Sequence, residues 1–317
     1  MDTISAQTID HVAPRVGWWQ RLRHAGGLRR SDWIWGYLFI APNFIGFLIF
    51  SLGPIIQSFV MSFMSWSLLQ PPKFTGLDNF RRLLDDELFR QVMGNTTYFV
   101  VFYVPLITVL AFLLAVLLNR PLRGVTLFRA AYFLPSVTMM VSVAMLWSWL
   151  IDPQAGIVNY LIESVGLKPP MWLADVRTAM PTIIVISVWQ DVGYFAVIYL
   201  AGLQAIPATL YEAAEIDGAN GWQQMLHITV PLITPTTFFV LVTSMITGWQ
   251  VFSLAFLMTQ GGPAYSTTTL LYYIYQQGFT NFRLGYASLM SWVLFLVIFI
   301  VTIIQWRVVK GGEYVGA

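Results

Sequence analysis

The chain has 317 residues, of which 57% are hydrophobic and only 10% charged, against roughly 25% charged in a soluble domain, so a soluble globule is excluded and an integral membrane protein is expected. The net charge of +2, from 17 Lys and Arg against 15 Asp and Glu, leaves no concentrated basic face for nucleic acid. The absence of cysteine excludes disulfides and thiolate metal sites.

The first 32 residues are polar and carry Arg15, Arg21, Arg23, Arg29 and Arg30. The apolar run that follows is far longer than a secretory signal core, so it is expected to stay in the protein as an anchor. No Asp, Glu, Lys or Arg occurs from Trp33 to Pro72, from Gln91 to Asn119, from Ala130 to Ile151 or from Leu284 to Trp306. Each run can supply the roughly 20 residues that cross a bilayer as a helix. Two more spans are expected around Thr178–Leu203 and Thr236–Thr259. The expected fold is all-α and integral to the membrane, with six transmembrane helices: a basic tail over 1–32, one membrane domain over 33–310 and a short tail over 311–317. Trp33, Trp35, Trp66 and Trp306 sit where aromatic side chains anchor spans at the interface.

Between the first two spans, "GLDNFRRLLDDELF" reads as an amphipathic surface helix with Asp78 or Asn79 as its N-cap. "QPPKFTG" and "LKPPMW" are proline-punctuated turns. With six spans, ten basic residues fall on one side: the five tail arginines, Arg120, Arg123, Arg129, Arg307 and Lys310. Seven fall on the other: Lys73, Arg81, Arg82, Arg90, Lys168, Arg177 and Arg283. The excess places both termini in the cytoplasm.

Span four contains Asp191, the one ionisable residue inside an expected span, in "WQDVGY". An intramembrane carboxylate is costly and points to a functional site, either a substrate pathway or a polar seam between helices. Gly193 beside it either breaks the helix locally or lets backbone approach a ligand. If Asp191 titrates during transport, the chain is a proton-coupled secondary transporter; a membrane enzyme would need a second ionisable group at that depth.

The stretch from Gln204 to Pro235 falls on the same side as the termini. Pro207 suits a helix start, Ala208–Ile216 a helix, Asp217-Gly218 its end, and Asn220 the cap of a second helix. Small residues that allow close approach and a Glu212 able to meet a basic side chain make either a docking knob or a plain connection. In span five, Trp249 and Gln250 combine an aromatic plane with an amide, which suits a sugar, although a tryptophan here serves equally to pack helices. No Gly-Lys pair exists for a phosphate-binding loop, and His11, His24 and His227 have no metal spacing.

Glu212-Ala213-Ala214, Gly218, Ile228, Val230 and Pro231 follow the loop of permease subunits in bacterial ATP-driven importers, with Val230 where that pattern has Leu. "AGLQAIP", "LMTQGGPAYSTTTLLYYIYQQGF", "GLDNFRRLL" and "LFRAAYFLPSV" resemble the carbohydrate branch that includes the maltose and glycerol-phosphate importers. The resemblance runs from about Trp35 to Trp306 and implies a type I ABC importer permease in the bacterial inner membrane. It implies that Glu212, Ala213, Ala214, Asp217, Gly218 and Ala219 couple to the ATPase, and that Asp191, Gly193, Trp249, Gln250, Ser253, Ser136 and Met140 lie along the substrate pathway. The implied substrate is a di- or oligosaccharide. The implied partners are a second homologous permease, two ATP-binding subunits, an extracytoplasmic sugar-binding protein and membrane lipid. ATP and magnesium would be bound by the ATP-binding subunits, with no cofactor and no catalysis in this chain.

Overall fold

The computed structural model describes residues 30–67, 70–120 and 124–310; the tail arginines before Arg30, His11, His24, Arg123 and residues 311–317 lie outside it. The chain divides after Gln57 into two compact units.

The first unit is helical. Helix α1 covers Arg30–Phe47, so it starts two residues before the expected tail ends. A π turn over Leu48–Leu52 links it to α2, Gly53–Met61. Pro54 has no N–H to offer its ladder and its ring crowds the preceding turn. The ladder widens to accommodate it: the Gly53 N–H bonds to the Leu48 carbonyl, five residues back. Trp35–Met61 is long and apolar enough to cross a membrane.

The second unit begins within α2, at Ser58, and continues into a two-stranded antiparallel hairpin, β1 (Met64–Ser65) pairing β2 (Lys73–Phe74), with Met64 opposite Phe74. Helix α3, Asp78–Asp85, is the expected amphipathic segment. Its N-cap is Leu77 and no side chain caps it. Asn79 is used elsewhere: its amide donates to the carbonyls of Ser62 and Met64, each at 2.9 Å, and clamps the hairpin.

Helix α4 is Glu87–Leu118, 32 residues, or about 48 Å at 1.5 Å per residue, against a hydrocarbon core of about 30 Å. Its buried side chains, among them Thr96, Phe99, Tyr103, Ile107, Ala111 and Ala115, recur every three or four residues, the stripe of one helix face. The opposite face is just as apolar but exposed, at Val101, Val109 and Leu113, as suits lipid. Asp86 caps α4 by accepting from the Phe89 N–H at 3.0 Å. The other Asp86 oxygen accepts from Tyr273 at 2.8 Å and Tyr286 at 2.7 Å. One carboxylate thus ties the start of α4 to two later helices, and the Arg82 guanidinium lies over the Tyr286 ring.

The expected third span is two helices, α5 (Val125–Val137) and α6 (Met140–Leu150), bent by 100°. Pro135 removes a ladder donor just before the break, and Thr138 turns extended. After α7, Ile157–Ser164, comes α8, Val176–Gln204, capped by Asp175. Helix α8 packs along α4, with α5 against it and α12 against both. The core draws Phe99 and Ile107 from α4 together with Ile183, Phe195 and Tyr199 from α8.

Helices α9 (Ala208–Ile216) and α10 (Gly221–Gln224) lead through a second π turn, Met225–Thr229, into α11 (Val230–Leu232) and then α12, Thr234–Trp249. The π turn again precedes a proline, Pro231. The 221–232 and 234–249 segments meet at 63°. The fifth span was expected to reach Thr259, but α12 stops at Trp249. The chain breaks over 250–252, where the Thr269 hydroxyl donates to the Val251 carbonyl at 2.7 Å, and is helical again from Ser253 through a π turn, Ala255–Thr259. Helices α13, Leu270–Tyr275, and α14, Leu284–Lys310, complete the unit. Among the described residues, four helices are long and apolar enough to span a membrane, or six if each bent pair is one span. Trp35 and Trp306 are exposed, as interface anchors require, whereas Trp66 is half-buried; the Trp33 side chain is outside the described set.

Candidate functional site

Two features carry chemistry. The first is a cavity of about 110 Å³ between α4, α6, α8, α12 and the loop after Trp249. Phe99 and Tyr103 enter it from α4, Met140 from the start of α6, and Ser187, Gln190 and Asp191 from α8. Thr247 and residues 250–254 close it. The end of α12 at Trp249 is what lets Gln250 and Ser253 face this space.

Asp191 Oδ2 accepts a hydrogen bond from the Tyr103 hydroxyl at 2.7 Å. Among the described residues no Lys, Arg or His lines the cavity, so there the carboxylate is held by hydrogen bonding rather than by a counter-charge. Gln190 is buried, and its Oε1 has no partner among the described residues. Such a group costs free energy until something donates to it. A carboxylate, two amides, hydroxyls and aromatic rings around a small space can bind a polyol through O–H groups at its rim and C–H groups on its face.

Four of the seven expected pathway residues meet here: Asp191, Gln250, Ser253 and Met140. Three do not. Gly193 is where α8 meets α5: a Cβ there would lie 1.9 Å from the Tyr132 carbonyl oxygen. Its lack of a side chain serves helix packing. Trp249 is buried in the core rather than in the cavity wall. The Ser136 hydroxyl is turned to its own helix, donating to the Phe133 carbonyl at 2.7 Å. Sequence reasoning passed over Tyr103, Gln190, Phe99 and Thr247. The signal for two of them was available: Tyr103 and Gln190 are polar groups within apolar spans, and such groups need partners.

The second feature is the turn from α9 to α10. Asp217, Gly218 and Ala219 close α9 with a Schellman motif: the Ala219 N–H reaches the Ala214 carbonyl at 2.8 Å and the Gly218 N–H reaches that of Glu215 at 3.0 Å. Gly218 takes φ +80°, and nothing lies within 4 Å of where its Cβ would be. Asn220 and Gln223 then form a capping box, 2.9 Å one way and 2.8 Å the other. The Tyr211 and Thr229 hydroxyls, 2.9 Å apart, bind α9 back to the chain leading to α12.

These local bonds make a rigid knob. Glu212, Ala213, Asp217 and Gly218 are exposed, while Ala214 and Ala219 are half-buried. Glu212 makes no ion pair among the described residues. Ala214, Asp217, Gly218, Ala219 and His227 are among the residues lining a concavity of about 320 Å³. Ile216 is 87% exposed and Trp222 is 71% exposed. Sequence reasoning used both only as helix residues. Large apolar side chains beside small ones and an unpaired carboxylate are the make-up of a binding hot spot.

Residues 98–311 match the family described as "Binding-protein-dependent transport system inner membrane component". The chain is 37% identical over 283 residues to the probable ABC transporter permease protein YesP of Bacillus subtilis, covering 88% of this chain and 91% of that one. It is 36% identical to the lactose transport system permease protein LacF of Rhizobium radiobacter, over 88% of this chain and 95% of that one. A solved bacterial alginate ABC transporter, in complex with an alginate pentasaccharide-bound periplasmic protein, matches with a TM-score of 0.76 at 26% identity. That match covers 91% of this chain and 95% of the other.

Proposed function

The chain belongs to the family of inner-membrane components of binding-protein-dependent transport systems, the permease subunits of ABC importers, and on that premise we propose that it forms half of the pathway for an uncharged di- or oligosaccharide. It is a multi-pass membrane protein of the type I importer permease fold, and permeases of this family work with a substrate-binding protein. The observation that carries the proposal is that one helix joins the two features above. Asp191 stands within α8, and α8 ends at Gln204, immediately before α9. Those thirteen residues span about 20 Å of rigid helix.

In this reading a second, homologous permease completes the cavity, and two ATP-binding subunits dock on the α9–α10 knobs of the pair. Glu212 meets a basic side chain of the ATPase and sets the register of docking. Ile216 and Trp222 supply the buried contact. Both termini lie on that cytoplasmic side, as the arginine excess predicts. ATP and magnesium stay with the ATP-binding subunits, whose closure moves α8 and its neighbours between outward-facing and inward-facing states. This chain positions and conducts, and performs no covalent chemistry. The lactose and alginate systems above support a saccharide, although alginate is acidic; that the sugar is uncharged rests on the cavity lining, which among the described residues holds no cation for a phosphate or carboxylate.

A proton-coupled carrier built on Asp191 gains no support: the cavity lining holds no second carboxylate and no histidine to relay a proton. The test is uptake of labelled sugars into proteoliposomes holding the purified assembly. Uptake that requires internal ATP and persists when a protonophore collapses the proton gradient is expected. Uptake driven by the gradient without ATP would overturn the proposal.

A further inference from the structure

A second concave site lies on the other face of α8. It is a groove of about 350 Å³ between α6, α7, the 165–175 loop and the first turns of α8. Trp147, Trp172, Pro181, Val185 and Ile186 line it, and its one charged lining residue is Arg177. At 100° per residue, its α8 residues centre roughly 180° from Ser187, Gln190 and Asp191. The groove therefore faces away from the transport cavity. It sits at the end of α8 opposite the α9–α10 knob, and the Trp147 indole packs edge-on against Trp189 just beneath it.

The groove is built, not incidental. Trp172 holds a left-handed backbone, φ +34°, that non-glycine residues seldom keep without support. Its indole N–H donates to Asn159 Oδ1 at 2.6 Å, and its carbonyl accepts from the Thr178 hydroxyl at 2.6 Å. Asn159 is buried and donates in turn to the Asp152 carbonyl at 2.8 Å. Two acids around the groove are committed to backbone amides, and Glu163, at the end of α7, makes no ion pair among the described residues. Asp152 accepts from Gln154 and Ala155, and Asp175 accepts from the Arg177 N–H. The Arg177 guanidinium is exposed and makes no ion pair among the described residues.

We propose that this groove holds one anionic phospholipid, with an acyl chain lying along Pro181, Val185 and Ile186 between Trp147 and Trp172 and the headgroup phosphate on Arg177. An apolar slot topped by Arg177, which has no ion pair among the described residues, and flanked by indoles at the end of a membrane-spanning helix matches an amphiphile with a negative head. A neutral sugar would find almost no polar partner there. The site requires only that the chain spans a bilayer, so its failure would leave the importer reading untouched.

The full chain, with the subunits that accompany it, is placed in phosphatidylcholine nanodiscs. These are doped with phosphatidylglycerol or phosphatidylcholine carrying a photoreactive acyl chain, and adducts are mapped by peptide mass. Adducts on the peptide spanning 177–186 are expected, favouring phosphatidylglycerol by about fivefold, the factor that roughly 1 kcal/mol per cation gives. Arg177→Gln should remove the preference while leaving labelling. Val185→Trp, which fills the groove from an exposed position, should abolish labelling with thermal stability unchanged. Equal labelling by both lipids, labelling that survives Val185→Trp, or no adduct in 177–186 while other segments are labelled would each overturn the proposal. A crosslink from the groove to another subunit in place of lipid would overturn it as well.

Discussion

At the scale of single residues, the cavity depends on the Tyr103–Asp191 pair. Asp191→Asn keeps the shape but weakens every hydrogen bond the carboxylate makes. Hydrogen bonds to charged groups contribute about 1.5–3 kcal/mol, so the KM for uptake should rise roughly 10- to 100-fold with little change in expression. Tyr103→Phe frees the same oxygen for the substrate and should alter KM less; both values are read from initial uptake rates. Asp86 acts on stability instead. Burial raises its pKa, but hydrogen bonds from Tyr286, the Phe89 amide, Tyr273 and the Leu88 amide together lower it below the ordinary carboxylate value. Burial and the Asp86 carboxylate push Tyr273 up to about 12, so it stays protonated as a donor. The folded state therefore holds the ionised form of Asp86 more firmly than the unfolded chain does. That stability is present above the unfolded pKa of about 3.9 and is lost as pH falls through the folded value. Thermal unfolding of wild type and Asp86→Asn at stepwise lower pH should show the variant less stable near neutrality and the two converging in acid. A constant gap throughout would rule this role out.

At the scale of elements, the α9–α10 knob was largely legible because its determinants are local. Pro207, Gly218, Asn220 and the alanines act within a few residues of themselves, and sequence carries such information directly. The apolar spans were legible from composition for the same reason. The break after Trp249 was not, because it goes with a contact between distant residues: the Thr269 hydroxyl bonds the Val251 carbonyl across 18 residues. Gly193 misled because a glycine near a carboxylate looks like room for a ligand, and only the fold brings Tyr132 against it. The two roles separate experimentally. Gly193→Ala forces the Tyr132 backbone away, so it should lower the unfolding temperature in detergent and the yield of the chain, at a cost of about 1–3 kcal/mol for overpacking. A fully stable variant with impaired uptake would restore the ligand-contact role.

At the scale of the molecule, α8 is the part on which the account turns. Its one face lines the cavity, its opposite face walls the Arg177 groove, and its end delivers the knob. The membrane character and the helix–turn–helix of α9 and α10 could be read from charge-free runs and short motifs. Which polar side chains share a cavity could not, since Tyr103 and Asp191 are 88 residues apart and meet only through the packing of α4 on α8. The central claim is that the knob is where an ATPase drives this permease. It is tested most directly by purifying the chain from its native membranes in mild detergent, as wild type, Glu212→Arg and Trp222→Ala, and identifying the co-purifying subunits by mass. The account predicts an ATP-binding subunit and a second permease with the wild type, and loss of the ATP-binding subunit alone in both variants. Recovery of the chain by itself, or of an ATPase that neither variant weakens, would contradict it.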